Sequence, residues 1–516
     1  MKKGRLKEKI TLDPIMTLLI LIAITIVISG FLSLLGVQVN YNTIANDVTL
    51  EYTQGLASVS SLFSLSGLKY IFSTTVSNFV AFTPLSSLII ILIGIGVMEK
   101  SGFLKTTITL LTKKAKKNTV TFVIVLTCLL SSIIGNLPYV IMIPLSAIIF
   151  TYGKRNPYIG IIASYAALTA GTGINVLFTS VDSALLTNTL LGSHIISPNY
   201  ALTSIAFVFI MTAAVIILSV AITAITENYI APRLPKYEFP ANAMEDDFTI
   251  TNKELKGLIF AVGAGLLYLL FFIYCILPIN LPLAGAFLDN RQVFYIDKLF
   301  SADSFFSNGF VFIVTMAFII LGFFYGIGAK TIKNNKDLCD DLGHSIDEIG
   351  KIIVLIFIAS IFISVFKKTN IGEVITAGLA NILTINSLGT LPLIIILFII
   401  SAISTLFLPN STFKWGILAG IAVPTLMDAG IAPEFTQVIF RFGECVTMGL
   451  TPLMAYYVIY LAYLDRYNQD EKPINLFKTL KYQLPYSITV GIILLALIII
   501  WFIIGLPIGI NGVVNI

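Results

Sequence analysis

The sequence has 516 residues, of which 57% are hydrophobic and 11% charged, and its formal net charge is +5. That composition excludes a soluble domain and fits a polytopic membrane protein, so the positive charge calls for no nucleic-acid partner. With only His194 and His344, and with Cys128, Cys275, Cys339 and Cys445 in apolar or inner segments, no zinc centre, histidine proton relay or disulfide framework is expected.

Apolar runs long enough for a hydrocarbon core of about 30 Å predict spans near 15–37, 80–98, 158–190, 201–227, 256–278, 309–328, 350–366, 433–464 and 485–508. The amino-terminal run follows a basic start but has no small-x-small cleavage site, so it reads as a retained span with a cytoplasmic amino terminus. A polar segment, 38–79, follows on the outer side, amphipathic from Leu56 to Phe72. Residues 103–117 alternate apolar and basic positions and are expected along the inner membrane face. Two further apolar stretches, 119–150 and 391–427, turn at polar tips, Ser131 to Pro138 and Ser404 to Thr412, and are read as re-entrant hairpins. On this assignment 24 of the 32 lysines and arginines fall on the inner side and 5 in outer loops. Treating 119–150 as an ordinary span would place Lys154 and Arg155 outside and spoil the bias.

The order of elements repeats. After span 80–98 come an amphipathic arm, hairpin 119–150, a helix 158–190 interrupted at Thr169 to Asn175, and a closing span. After span 350–366 come arm 371–386, hairpin 391–427, a helix 433–464 interrupted at Gly443 to Gly449, and a closing span. Asn136 to Gly171 spans 35 residues and Asn410 to Gly443 spans 33, and the two units start in opposite directions. The fold class is therefore all-α, with about nine transmembrane helices plus two re-entrant hairpins in inverted repeats, the arrangement in which secondary transporters bind substrate and ions near the midplane. The expected divisions are 1–79 (first span and outer loop), 80–227 (first repeat), 228–349 (linker and scaffold spans) and 350–516 (second repeat).

Broken helices offer free N–H groups to anions and free carbonyls to cations. In the first repeat Ser132, Asn136, Gly171, Thr172 and Asn175 supply neutral oxygens suited to sodium, or else cap helices; Thr447 offers the same in the second. Asp182 is the only acid between Glu99 and Glu227, and it either pairs, carries a proton or sits at the interface. Arg441 and Glu444 lie three apart on one helix face, so they pair with each other, or Arg441 grips a substrate carboxylate while Glu444 orients it. Trp415 stacks on an aromatic ring or anchors at the interface, and Lys414 beside it snorkels. Asn410, Ser411 and Thr412 at the hairpin tip complete the substrate set.

At these residues the chain resembles a known family. Phe82-Thr83-Pro84, Gly94 to Gly102, Gly171 to Asp182, Ala231-Pro232-Arg233-Leu234, Lys414-Trp415 to Pro424, Pro433 and Arg441 to Tyr456 resemble the AbgT family of p-aminobenzoyl-glutamate transporters. The resemblance implies a bowl-shaped homodimer with nine spans and two hairpins per protomer, a core carrying substrate against a dimerising scaffold, and functional positions at Asp182, Trp415, Pro433, Arg441 and Pro452, with Thr412 where serine is common. Glu444 stands where the family usually has aspartate, and Met448 where it has asparagine. It also implies uptake of p-aminobenzoyl-glutamate or proton-driven export of sulfonamide antimetabolites.

The expected function is secondary active transport of p-aminobenzoyl-glutamate or a related aromatic amide or carboxylate, driven by a proton or sodium gradient, with Asp182 or Glu444 titrating. A sulfonamide exporter and a di- or tricarboxylate carrier are the alternatives. A channel would need a continuous polar pore lining. An enzyme is not expected: the chain has no HExxH, no nucleotide loop and no nucleophile and base at catalytic spacing.

Overall fold

The computed structural model describes residues 12–44, 52–112, 115–176, 179–203, 205–239, 250–279, 281–293, 295–301, 304–346, 349–384, 389–470 and 472–516. Lipid cannot satisfy backbone polar groups, so long apolar runs must close their hydrogen bonds within themselves, and the chain is mostly helical. Nine helices among the described residues are long and apolar enough to cross a membrane: Pro14–Leu34, Leu65–Lys100, Lys117–Ile134, Val208–Arg233, Asn252–Ile276, Phe305–Ala329, Gly350–Lys368, Thr390–Phe407 and Leu476–Ile504.

The number matches the expectation, but the membership differs. Segments 158–190 and 433–464 are absent from the set because each is cut into half-helices, Pro157–Gly171 with Ser180–His194 and Pro433–Thr447 with Tyr457–Arg466. The first arms of both hairpins take their place. Each hairpin is a helix, a short polar turn and a second helix, Lys117–Ser131 with Pro138–Tyr152 and Thr390–Phe407 with Ser411–Asp428. Their turns follow from the sequence. Gly135 takes φ 67° before Pro138 opens the next helix, and Asn410 caps Ser411–Asp428 by accepting from Phe413 N–H at 2.9 Å.

The outer segment is not the simple amphipathic stretch expected. Strands Gln38–Ile44 and Tyr52–Ser58 pair antiparallel, Gln38 opposite Ser58, and a helix begins only at Leu65. The ribbon covers arm Ile371–Ala380, burying Ala57 and Val59 with Val374, Ala377 and Ile417. The acidic run Glu245 to Asp247 lies outside the described residues.

Glycines set the closest approaches. A Cβ on Gly443 would meet the Phe398 carbonyl oxygen at 2.5 Å, so the second broken helix packs backbone to backbone on the first arm of its hairpin. Gly443 is therefore a packing residue; the second helix breaks later, at Met448 to Tyr456. A Cβ on Gly322 would likewise meet the Val97 backbone at 2.7 Å, fixing Phe305–Ala329 against Thr83–Lys100. At the base of the first hairpin Arg155 bonds Glu227 Oε1 at 2.6 Å and Thr121 Oγ1 at 3.0 Å, tying both hairpin ends to the turn Thr226–Ile230. Residues 508–516 fold back under the second broken helix. There Ala432 donates to the Val514 carbonyl at 2.9 Å, and buried Glu434 accepts from Val513 N–H at 3.1 Å and from the Tyr200 hydroxyl at 2.9 Å.

Gly443→Ala should cost about 1–3 kcal/mol through overpacking, read as a lower Tm in detergent. Gly263→Ala, where a Cβ meets open space, should leave Tm unchanged; equal effects would show that the 443 contact is not close.

Candidate functional site

Where the hairpin tips and the first helix break converge lies a cavity of about 840 Å³. One wall is Ser132 to Leu137 of the first tip and another is Leu408 to Phe413 of the second. Phe306, Phe310, Phe366, Phe407 and Tyr456 line much of the remainder, and Thr172, Asn175 and Thr179 form a polar floor. Such a space, within the usual range for small-molecule sites, suits a flat aromatic group with a few polar atoms.

Directly behind the floor is a chain of four charged side chains, all buried. Arg441 Nη2 lies 3.1 Å from Asp182 Oδ1, Arg441 Nη1 lies 3.6 Å from Glu444 Oε1, and Lys414 Nζ lies 3.3 Å from Glu444 Oε2. The formal charges cancel. Charges without partners are not tolerated at this depth, and the sequence supplies two of each sign from three separate elements.

The local chain explains each placement. Asp182 closes a capping box with Thr179 at the start of the second half-helix, accepting from Thr179 N–H at 3.0 Å and the Thr179 hydroxyl at 2.7 Å. Asn175 donates to the same oxygen at 3.0 Å. Arg441 reaches the end of the preceding half-helix, where Nη2 donates to the Thr172 carbonyl at 2.9 Å and Nε to the Gly173 carbonyl at 3.3 Å. A Cβ on Gly173 would sit 2.3 Å from the Arg441 carbonyl oxygen, so only glycine lets the first break meet the helix Pro433–Thr447. Lys414 also donates to the Thr405 hydroxyl on the opposite hairpin arm.

The sequence-selected residues therefore separate into two layers. Ser132, Asn136, Thr172, Asn175, Asn410, Ser411 and Thr412 line the cavity. Asp182, Arg441 and Glu444 stand behind it, and the short-range pairing of Arg441 with Glu444 is present. Trp415 is fully buried away from the cavity, its ring 4.4 Å from that of Phe440 and its Nε1 bonded to Thr189 Oγ1 at 2.9 Å. Pro433 opens its helix beside the tail at residues 513–514, and Pro452 sits in the second break; neither lines the cavity. Thr447 donates to the Ala402 carbonyl at 2.5 Å. The carbonyls proposed for sodium are engaged: Gly171 accepts from Ile174 N–H at 3.1 Å, and Thr172 and Gly173 accept the Arg441 guanidinium.

Three participants escaped the sequence reading. Lys414 is not a snorkelling side chain but a fully buried ion-pair partner. Thr189 and Gln437, bonded at 2.6 Å, hold Trp415 from the far side. A signal existed: Gln437, Arg441 and Glu444 fall at i, i+4 and i+7, a polar stripe on a helix with no solvent face.

The model of the AbgT putative transporter family matches residues 5–516. The p-aminobenzoyl-glutamate transport protein of Escherichia coli (strain K12) is 26% identical over 496 residues, covering 96% of this chain and 93% of that protein. The Alcanivorax borkumensis YdaH transporter, whose crystal structure is described as revealing an unusual topology, is 25% identical over 97% of this chain and 100% of its own, with a TM-score of 0.47. Neisseria gonorrhoeae MtrF, described as illuminating a class of antimetabolite efflux pumps, is 30% identical over 98% of each chain, with a TM-score of 0.49.

Removing one member of the buried chain should strand its neighbour. Lys414→Met and Glu444→Gln should each destabilise the protein by about 3–5 kcal/mol, while the double variant regains most of the loss. Additive losses in Tm-based or denaturant unfolding would show that the two side chains are not coupled.

Proposed function

We propose that this chain, which belongs to the AbgT putative transporter family, is a secondary active transporter of p-aminobenzoyl-glutamate or a related aromatic amide, coupled to a proton or sodium gradient. The observation that carries this reading is the aromatic-walled cavity between two polar hairpin tips, backed through its floor by the buried charges. Thr172 and Asn175 belong to both layers: they face the cavity, while the Thr172 carbonyl holds Arg441 and the Asn175 amide holds Asp182. A substrate pressing on the floor therefore acts on the charge chain, which is the physical requirement for coupling.

In this reading the hairpins re-enter, the two halves are inverted repeats, and two protomers associate as a homodimer. The amino terminus is cytoplasmic, as the basic loops suggest, so the cavity mouth near Lys367 and Asn370 opens outward. One observation also favours a sulfonamide-type exporter. Arg441 stands behind the cavity wall instead of on it, leaving an aromatic space that accepts a neutral sulfonamide amide as well as a carboxylate. The same aromatic wall argues against a small di- or tricarboxylate, which would gain nothing from it.

Proteoliposomes holding the purified protein should take up labelled p-aminobenzoyl-glutamate saturably under an imposed pH or sodium gradient. Tyr456→Ala, on the cavity wall, should raise KM about threefold to tenfold. Sulfonamide should compete. No uptake under either gradient from folded protein sinks the substrate assignment. Ser411→Cys in a Cys339→Ser background should react with a membrane-impermeant maleimide from outside and be protected by substrate; labelling only from inside would reverse the orientation.

A further inference from the structure

The four buried charges are not equivalent as carriers of a coupling proton. A guanidinium is not a proton carrier, which sets Arg441 aside. Asp182 faces Arg441 through one oxygen and accepts three further hydrogen bonds on the other, two from Thr179 and one from Asn175, so both of its oxygens are engaged. The remaining pair is held more loosely. Lys414 has three protons to place and two partners, Glu444 Oε2 and the Thr405 hydroxyl. Glu444 receives no well-formed hydrogen bond on either oxygen; its contacts are 3.3 Å to Lys414 and 3.6 Å to Arg441. Arg441 Nη1, at the end of the second contact, has no hydrogen-bond partner.

A carboxylate suspended between two cations, one of which always keeps its charge, is a two-position switch. Resting on the proposed transport activity, we infer that Lys414 is the proton-releasing group of this transporter and that Glu444 passes from Lys414 to Arg441 Nη1 when the proton leaves. The step balances simply. The Lys414 ammonium gives one proton to solvent and becomes a neutral amine. The buried set then goes from zero charge to one net negative, and Glu444 closes a full ion pair with the unused Arg441 donor. Rebinding a proton from the other side reverses it.

Among the described residues, the elements around the pair bring two titratable groups besides Arg441, the Cys445 thiol and the Asp182 carboxylate. They present Thr405 from the first arm of the hairpin, Cys445 and Arg441 from the broken helix, and Asp182 through Arg441. The mechanical consequence follows from where the two residues sit. Lys414 lies in the first turns of Ser411–Asp428, whose tip carries Asn410, Ser411 and Thr412 on the cavity wall, and Glu444 lies on the broken helix. A protonated Lys414 ties the tip to the broken helix; a neutral one releases it.

The test uses full-length protein in proteoliposomes with p-aminobenzoyl-glutamate as probe. It compares wild type with Lys414→Arg, which cannot shed its charge, and with the Lys414→Met/Glu444→Gln double variant, which removes both charges. Substrate exchange, uphill accumulation in a pH gradient and proton flux by an internal pH dye are read together. The expected result is that protons moved per substrate fall at least tenfold in both variants. An unchanged ratio in either variant that exchanges substrate overturns the inference, as does wild-type transport driven by sodium with no proton flux. A second measurement needs no substrate. If the folded pair gives up a proton that the unfolded chain keeps on lysine, the Tm of wild type relative to Lys414→Arg should rise as the pH approaches the ordinary lysine pKa of about 10. A flat difference overturns the inference even if neither variant transports. A rising difference together with no wild-type uptake would instead uphold Lys414 and reject the substrate.

Discussion

Everything in the interior hangs on one arginine reaching across the molecule to the end of another helix. The half-helix Pro157–Gly171 runs out into the Thr172 and Gly173 carbonyls, polar backbone at the end of a helix. Arg441 supplies the missing donors and the missing positive charge at once, and Asp182, at the start of the next half-helix, balances it. The break in the first half of the chain is thus stabilised by a residue from the half-helix Pro433–Thr447 in the second half. Without that arginine the first interruption would leave polar backbone unpaired in an apolar interior.

The same contact explains why the cavity and the charges form two layers. A guanidinium fixed on two carbonyls and a carboxylate has little left for a ligand, so the arginine acts as a tethered cation in the seat that the sequence suggested for a mobile one. Ligand recognition passes to the hairpin tips and aromatic rings, which can rearrange at lower cost than a buried ion pair. The shared residues Thr172 and Asn175 make the boundary between the layers one residue thick. Trp415 then supports the second hairpin from behind, clasped by Phe440 and by the Thr189 and Gln437 pair.

Much of this architecture can be read from the chain because helix breakers in apolar runs carry a strong physical meaning. Gly171 to Gly173, Asn136 with Pro138, and Asn410 each mark a turn or break, and the identity of the family is written in the Trp415 to Pro452 block. Local pairing was legible as well: Arg441 and Glu444 are neighbours by helix geometry alone. What spacing cannot reveal is which distant segment a charged side chain will meet. Asp182 and Arg441 join through the tertiary fold, and Lys414 looks like a snorkelling lysine until Thr405 and Glu444 are seen to enclose it. Gly443 misled for a related reason. Glycine serves both close packing and helix interruption, and only the Phe398 carbonyl above it tells which. The β-ribbon at 38–58 escaped because its strands are short and polar, with the signature of an ordinary outer loop.

The clasp at Glu434 has a bearing on how the molecule is made. The helix Pro433–Thr447 carries the arginine on which the interior depends, yet its first turn is held by residues 513 and 514, which leave the ribosome only after the whole of Leu476–Ile504. Until then the buried carboxylate lacks one of its donors, and the start of the helix lacks its seal. The first turn of Pro433–Thr447 is therefore sealed by a segment that follows Leu476–Ile504 in the chain, so the helix that carries the arginine is completed only after that later membrane helix has been made.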